Sequence, residues 1–259
     1  MLRPRIIPSL LVHKKGLVKT VGFNQSKYVG DPINAVKIFN EKEVDELIVL
    51  DIDASVENRP PDFNMIKNLA TECRMPFCYG GGVKTVDQAI KIVQLGAEKV
   101  AFSSSVIENT QLIKEVGDSI GNQSVVVVLD YKKTGLLGKR LELFTHNGKK
   151  STGINLYDFV KILNGLNVGE IVLNSIDRDG TMKGYDIEVS KKVREIFDGP
   201  LTILGGAGKI EDIKEVVDEF KIIGAAAGSL FVFKGKYKAV LINYPSQYEF
   251  FNTNQKNND

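Results

Sequence analysis

The sequence EIVLNSIDRDGT, residues 170–181, contains the pattern that decides the fold. It begins with an apolar run of strand length, which is typical of a strand covered on both faces of a parallel sheet. A polar loop with Asp177, Asp179 and Gly180 follows, and apolar residues then recur at helical spacing over residues 187–197. The stretch therefore predicts a buried strand, a loop and a helix in succession.

This pattern of strand, loop and helix occurs eight times along the chain. Strands are predicted at residues 5–12, 46–53, 76–80, 99–103, 124–131, 170–176, 200–204 and 224–227. Helices are predicted at residues 32–39, 64–73, 86–95, 111–120, 157–166, 187–197, 210–220 and 238–243. The alternation predicts parallel strands joined by right-handed crossovers, and a length of 259 residues fits a single (β/α)8 TIM barrel better than two domains. We expect a barrel over residues 1–245 and a frayed polar tail over residues 246–259.

Charge and composition exclude several classes of protein. The 34 Lys and Arg residues nearly balance the 32 Asp and Glu residues, so there is no basic field that would attract nucleic acid or an anionic membrane. No apolar run reaches the length of a membrane span. Cys73 and Cys78 fit a reducing compartment, and His13 and His146 lack other ligands at metal-binding spacing. We therefore expect a cytoplasmic protein with no metal, no cofactor and no nucleic-acid or membrane partner.

The two halves of the chain carry similar motifs. Residues 50–53 and 175–177 place aspartates at the ends of the second and sixth strands, and glycine clusters at 80–82 and 205–208 end the third and seventh. This repeat predicts a barrel made of two similar half-barrels, so a feature of the rim should recur on the opposite side. The segment 132–155 is long for a connection and contains Asn147 and Gly148, which predicts an inserted β-hairpin after the fifth strand.

The glycine clusters give the strongest binding signal in the sequence. Glycine lets the backbone approach a ligand closely, and the helix that follows can direct N–H groups at an anion. Two such rims would suit a ligand with a phosphate at each end, whereas the simpler interpretation is a pair of tight turns. Asp53 is expected in a solvated turn. The candidate phosphate and substrate residues are Asp51, Gly81, Gly82, Ser103, Ser104, Asp179, Gly180, Thr181, Gly205, Gly206, Ala207, Gly208, Gly228 and Ser229.

Asp130 is the candidate catalytic residue. It ends the fifth strand, at the face where barrel enzymes place their catalytic groups, and a carboxyl group there can act as a general acid or base. The alternative is a rim carboxylate that pairs with Lys132 or Lys133.

Four charges of alternating sign begin the first, second, fourth and sixth strands. At equivalent depth they would form a ring that closes the bottom of the barrel, in which each charge satisfies its neighbours. The residue pattern alone assigns this ring no role beyond a polar plug. Its members are Arg5, Glu46, Lys99 and Glu170.

The order of motifs over residues 1–234 resembles that of the cyclase subunit of imidazole glycerol phosphate synthase, HisF. The motifs include Arg5-Ile6-Ile7-Pro8, Val18-Lys19, Gly30-Asp31-Pro32, Gly80-Gly81-Gly82, Asp177-Arg178-Asp179-Gly180-Thr181 and Gly205-Gly206-Ala207-Gly208-Lys209. In that family a glutaminase subunit docks on the N-terminal face, and ammonia passes through the barrel to a bisphosphate substrate on the opposite face. The resemblance therefore implies that the charged ring is an ammonia gate, that Lys19 contacts the substrate and that the glycine clusters are phosphate sites.

One departure from the family pattern affects its chemistry directly. The family's catalytic pair is an aspartate at the end of the first strand and another at the end of the fifth, and here the first position is Leu11 while Asp130 is retained. Ser103 and Leu204 also replace the asparagine and serine usual in the family. An isobutyl group cannot transfer protons, so we expect cyclisation by a paired acid and base to be impaired.

The Leu10-Leu11 variant resembles a paralogous branch associated with acetamidino modification of surface-glycan sugars. That branch implies a glutaminase subunit and a sugar amidotransferase as partners, with ammonia delivery for amidination of an N-acetyl sugar as the leading hypothesis. The alternatives are a cyclase of histidine biosynthesis that pairs Asp130 with another carboxylate such as Asp51, and a non-catalytic scaffold that activates a glutaminase. An isomerase acting on a related bisphosphate also fits the fold, but Leu11 counts against it as well.

Overall fold

The computed structural model describes residues 3–245, apart from the side chain of Leu137. The polar tail expected at residues 246–259 lies outside the described residues. The strands are β1 (Arg5–His13), β2 (Gly16–Val21), β3 (Asn24–Gly30), β4 (Leu47–Asp51), β5 (Phe77–Gly80), β6 (Lys99–Phe102), β7 (Val125–Thr134), β8 (Arg140–Thr145), β9 (Lys150–Asn155), β10 (Glu170–Ser175), β11 (Leu201–Leu204), β12 (Gly224–Ala227), β13 (Phe233–Lys234) and β14 (Ala239–Val240). The helices are α1 (Pro32–Glu41), α2 (Phe63–Glu72), α3 (Val86–Gln94), α4 (Ser104–Glu108), α5 (Gln111–Ile120), α6 (Leu156–Gly165), α7 (Ile187–Ile196), α8 (Ile210–Phe220) and α9 (Ser229–Val232), with 3-10 turns at Asn122–Ser124 and Leu136–Gly138.

Eight parallel strands close into a barrel. Their order is β1, β4, β5, β6, β7, β10, β11 and β12, and β12 pairs with β1 to complete the circle. Helices of eight or more residues follow most of these strands and cover the outside, so the chain is a single (β/α)8 TIM barrel, as the alternation predicts.

Side-chain alternation along β1 divides the barrel into an inside and an outside. Ile6 and Leu10 pack in the outer core between sheet and helices, whereas Ile7 packs in a second core enclosed by the strands. Arg5 and Leu11 share the inward parity of Ile7, one near each end of the barrel. The inner core consists of Ile7, Ile48, Cys78, Ala101, Val126, Val128, Val172, Leu204 and Ala226.

Two β-hairpins stand on the rim at opposite positions. The hairpin of β8 and β9 follows the fifth barrel strand, which confirms the insertion predicted at residues 132–155. The hairpin of β2 and β3 follows the first barrel strand and was not predicted. Short helices α4 and α9 likewise follow the fourth and eighth barrel strands. These pairs extend the half-barrel repeat.

The predicted helix at residues 238–243 is wrong. This segment contains the turn residue Lys238 and strand β14, which pairs with β13, and residues 241–243 belong to no helix or strand. Gly235 and Lys238 both have positive φ, so the backbone turns there instead of starting a helix. The apolar spacing comes from a short hairpin with Val240 opposite Phe233.

Candidate active site at the barrel mouth

A cavity opens at the C-terminal ends of the barrel strands, between the two rim hairpins. Thirteen of the fifteen candidate substrate-side residues lie in its wall together with Asp130. Thr181 and Gly208 do not, because the Thr181 hydroxyl donates to the Arg178 carbonyl and the Gly208 N–H donates to Asp212. The residues brought together are Lys19, Asp51, Gly81, Gly82, Ser103, Ser104, Asp179, Gly180, Gly205, Gly206, Ala207, Gly228 and Ser229.

The two glycine clusters form corners of this cavity, and a side chain there would clash with neighbouring backbone. Gly81 has φ +130°, and a Cβ there would lie 2.6 Å from the Cβ of Asp51. Gly206 has φ +110°, and its Cβ would overlap the carbonyl oxygen of Gly184. Both positions require glycine for the conformation and for the close approach. The sequence repeat thus produces two narrow backbone corners on opposite sides of one mouth.

Asp130 lies at the base of the mouth, on β7. Burial raises the pKa of its carboxyl to about 7, and the charge of Asp179 adds to that rise, whereas a hydrogen bond from Asn174 opposes it. The Asn174 Nδ2 donates to Asp130 Oδ1 over 2.7 Å. Lys132 and Lys133 do not form the rim pair considered as an alternative, since Lys133 contacts Asp186 instead. A carboxyl group of this kind can exchange a proton near neutral pH.

Asn174 is a site residue that the sequence analysis missed. It lies on β10 directly beside Asp130 in the parallel register and is only 5% exposed. Within residues 3–245, Asn174 Oδ1 and Ser103 Oγ are buried polar atoms without a hydrogen-bond partner. The available signal was a single amide that follows the apolar run Ile171-Val172-Leu173 at an inward position of β10. Unpaired buried atoms of this kind are rare and mark places where a ligand can supply the missing bond.

Leu11 points into the mouth. It lines the same cavity as Asp130, together with Leu50 and Leu204. Leu11 pairs with Leu50 across β1 and β4, so these two side chains lie next to each other. The position that carries an aspartate in the resembled family therefore contributes an apolar surface here.

Lys19 and Asp179 lie together on the wall beneath the first hairpin. Lys19 is buried and donates to the carbonyl oxygen of Ser9. Burial lowers the pKa of Lys19 to about 8, and the charge of Asp179 partly offsets that effect. Asp179 accepts bonds from the Thr20 hydroxyl at 2.7 Å and from the Phe23 N–H at 3.2 Å. These contacts fasten the hairpin to the loop after β10.

Asp51 and Asp53 are both held by partners. Arg59 donates to Asp51 Oδ1 over 2.8 Å, so the Asp51 carboxylate is already paired at the edge of the mouth. The interpretation of Asp53 as a solvated turn residue is wrong. Its carboxylate contacts His13 Nδ1 at 2.7 Å and accepts the N–H of Lys14 at 2.8 Å, which fixes the turn after β1.

The four charges at the other end of the barrel form a closed ring. Arg5 contacts Glu46 and lies 2.7 Å from Glu170, while Lys99 lies 2.8 Å from each of the same two carboxylates. Burial alone would raise the pKa of Glu170, but Arg5 and Lys99 lower it to about 2. The Thr202 hydroxyl donates a further bond to Glu170. The ring thus satisfies its buried charges, as the alternating pattern predicts.

The described part of the chain offers neither a metal cluster nor a membrane-spanning helix. Over residues 3–245, no group of three or more His, Cys, Asp or Glu side chains is arranged to hold a metal ion. In the same residues no helix is long and apolar enough to cross a membrane.

Comparison with known proteins gives matches over nearly the whole chain. Residues 5–238 match the family described as "Histidine biosynthesis protein". The chain is 57% identical over 249 residues to the "Putative imidazole glycerol phosphate synthase subunit hisF3" of Vibrio vulnificus, covering 96% of this chain and 95% of that protein. It is 48% identical over 245 residues to the "Putative imidazole glycerol phosphate synthase subunit hisF2" of Pseudomonas aeruginosa, covering 95% and 97%. The imidazole glycerol phosphate synthase subunit HisF of Natranaerobius thermophilus is 39% identical over 247 residues, again covering 95% and 97%.

Proposed function

The chain belongs to the HisF family of imidazole glycerol phosphate synthase subunits, and from this we propose that it conducts glutamine-derived ammonia for amidination of an N-acetyl sugar. The ammonia comes from a glutaminase subunit docked on the N-terminal face. The product is an acetamidino sugar for a surface glycan, made in the cytoplasm together with a sugar amidotransferase. The observation that carries the proposal is Leu11 facing the mouth above an intact charged ring.

The charged ring supports the ammonia route. Arg5, Glu46, Lys99 and Glu170 close the N-terminal end of the barrel, and above them the inner core is apolar. An apolar bore excludes ammonium, because an isolated ion there would lose its hydration, while neutral ammonia passes at lower cost. A glutaminase on this face would release ammonia directly at the ring.

The glycine corners at Gly81 and Gly206 support a phosphorylated ligand on the opposite face. Each corner exposes backbone at a position where no side chain fits. Lys19 lines the same cavity, and its Nζ supplies a positive charge next to Gly228, where an added Cβ would lie 2.5 Å from it. An anion bound there gains hydrogen bonds from backbone groups and attraction from the lysine.

Leu11 and the degree of identity support a reaction other than cyclisation. A paired acid and base cannot operate with Asp130 opposite an isobutyl group. Relatives named as putative subunits are 48–57% identical to the chain, whereas those named HisF without that qualifier are 37–39% identical. Both observations favour a branch separate from the histidine-pathway enzyme.

The net chemistry requires a third component. Ammonia adds to the acetamido carbon and forms a C–N bond, and the oxygen leaves with the phosphoryl or nucleotidyl group that activated it. That activation consumes a nucleoside triphosphate, which we assign to the sugar amidotransferase partner. The HisF-like chain then supplies the nitrogen.

Cyclisation is the second candidate because the mouth holds other acids besides Asp130. Asp51 is paired with Arg59, so its carboxylate is occupied. Asp179 is held by Thr20 and Phe23 but acts electrostatically on Asp130. A cyclase that used either residue would restore growth to a histidine auxotroph lacking this subunit. We expect no restoration at normal expression.

Reconstitution tests the proposed function. The purified chain, its glutaminase and the amidotransferase are incubated with 15N-amide glutamine, a nucleoside triphosphate and the N-acetyl sugar nucleotide, and the product is analysed by mass spectrometry. We expect a labelled acetamidino sugar that requires all three proteins. Asp130→Asn should reduce this product while leaving the complex intact, whereas full activity of that variant would favour a scaffold.

A further inference from the structure

The base of the mouth has two chemically different sides. Ser103, Asp130 and Asn174 come from the adjacent strands β6, β7 and β10 or from the residue that follows β6, and they form a polar arc. Leu204, Leu11 and Leu50 come from β11, β1 and β4 on the other side and form an apolar arc. A ligand group held between the arcs must therefore offer polar atoms to one side and carbon to the other.

The orientation of the Asn174 amide determines what the polar arc can bind. Its Nδ2 donates to Asp130, which leaves Oδ1 directed away from that carboxyl and without a partner in the described residues. A Cβ at Gly205 would lie 3.3 Å from this Oδ1, so the atom borders the second glycine corner. Asn174 is 95% buried, and a ligand N–H or O–H would satisfy its unpaired Oδ1. The carboxyl of Asp130 adds a second acceptor beside it.

We propose that the mouth binds an acetamidinium group, with its N–H groups donating to Asn174 Oδ1 and Asp130 and its methyl group packed on Leu11, Leu50 and Leu204. The group is planar, and its two nitrogen atoms and its methyl group point in three directions from one carbon. Donation to Asp130 is charge-assisted where its carboxyl is ionised, above a pKa of about 7, and burial of the methyl adds apolar contact. The identification of this group as the acetamidino end of a sugar rests on the proposed function. It makes Asn174 a ligand-binding residue and places the modified end of the sugar on this barrel.

Four small probes of the same shape test the two arcs separately. Acetamidinium has both the methyl group and the charged N–H groups, guanidinium replaces the methyl with an amino group, acetamide lacks the charge, and acetate offers only acceptors. Binding of acetamidinium to the full-length protein is followed by saturation-transfer NMR of its methyl signal, and the other probes compete for it. We expect a dissociation constant on the order of 1 mM for this four-atom ligand. Guanidinium and acetamide should bind about fivefold to tenfold more weakly, and acetate should not compete.

Variants assign the effect to the two arcs. Asn174→Leu and Leu11→Asn should each weaken acetamidinium binding about fivefold, and Leu11→Asn should abolish the preference over guanidinium. Asn164→Leu is the matched control, because Asn164 also bonds to an aspartate, Asp198, but lies on helix α6 outside the mouth. Its binding should equal that of the parent.

The probe comparison on the parent protein decides the inference even where a variant does not fold. Equal binding of acetamidinium and guanidinium, or no binding of acetamidinium, would overturn it. Unchanged affinity in a folded Asn174→Leu protein would do the same. Probe binding tests only the inference, and formation of amidinated sugar by the reconstituted proteins tests the proposed function. Failure of one is therefore distinguishable from failure of the other.

Discussion

The two ends of the barrel bury charge in opposite ways. The charged ring at the N-terminal end forms the floor of the barrel. There Arg5 and Lys99 bridge Glu46 and Glu170, and each of these two carboxylates has two cationic partners. At the mouth, Asp130 has one neutral donor, and Asn174 Oδ1 has no partner in the described residues. Arg5 and Lys99 lower the pKa of Glu170 at the floor, whereas burial raises the pKa of Asp130 at the mouth. The floor is therefore a closed set of ion pairs, whereas the mouth keeps a buried acceptor without a partner in the described residues.

Substitutions in the charged ring should destabilise the protein more than substitutions at the mouth. Glu170→Gln leaves Arg5 and Lys99 with one carboxylate between them, and we expect it to lower the free energy of unfolding by about 3 kcal/mol at pH 7. Urea unfolding measures the change. Asp158→Asn is the control, because Asp158 pairs with Lys161 on the exposed face of α6 and should cost less than about 0.5 kcal/mol. Equal effects of the two variants would show that the ring is not a cooperative structure.

Low pH should remove the stabilisation that Glu170 contributes to the charged ring. The folded pKa of Glu170 is about 2, below its ordinary value of 4.5, so its contribution is complete above pH 4.5 and is lost as pH falls towards 2. The stability difference between parent and Glu170→Gln should therefore shrink over this window. A difference that stays constant from pH 5 to pH 2.5 would contradict the pairing seen at the floor.

Replacement of Asp130 by a neutral residue should stabilise the protein. Because burial raises the pKa of Asp130 from 3.8 to about 7, the neutral form is favoured in the fold and ionisation costs stability as pH rises between those values. Asp130→Asn should stabilise the protein by about 2 kcal/mol at pH 8 and by progressively less towards pH 4. A destabilised variant at pH 8 would indicate that Asp130 has a cationic partner.

The smallest effect should come from the unpaired amide. Asn174→Leu removes an unsatisfied carbonyl oxygen, which should stabilise the protein, and one donor to Asp130, which should destabilise it. The two effects largely cancel, so the free energy of unfolding should change by less than about 1 kcal/mol. The pKa of Asp130, followed by carboxyl 13C NMR, should move further upward because its hydrogen bond is gone. A fall in this pKa would mean that another group stabilises the carboxylate.

The floor was predictable from sequence, and the mouth only in part. Charges of alternating sign begin the first, second, fourth and sixth strands of the barrel. They can satisfy one another in only a few arrangements, and the closed ring is one of them. Asp130 and the glycine corners followed from their places at strand ends. Asn174 did not, because a single amide in a strand reveals its partner only through the register with β7.

Local conformation accounts for the remaining differences. The chain reverses from β1 into β2 at Lys14 and Lys15, which adopt positive φ without glycine, so the sequence carried no turn signal at this first reversal. The segment after α9 has apolar residues at helical spacing but folds as the pair of β13 and β14. Asp53 looked like a loop residue because its partner His13 is 40 positions away.

The proposed function requires a barrel that conducts ammonia although Leu11 stands where the resembled family has an aspartate. The direct measurement combines the purified chain with its glutaminase, glutamine and the bisphosphate substrate of imidazole glycerol phosphate synthase, while glutamate release verifies that the complex is active. We expect glutamate release without formation of imidazole glycerol phosphate. Turnover to imidazole glycerol phosphate at the rate of a histidine-pathway enzyme would contradict it.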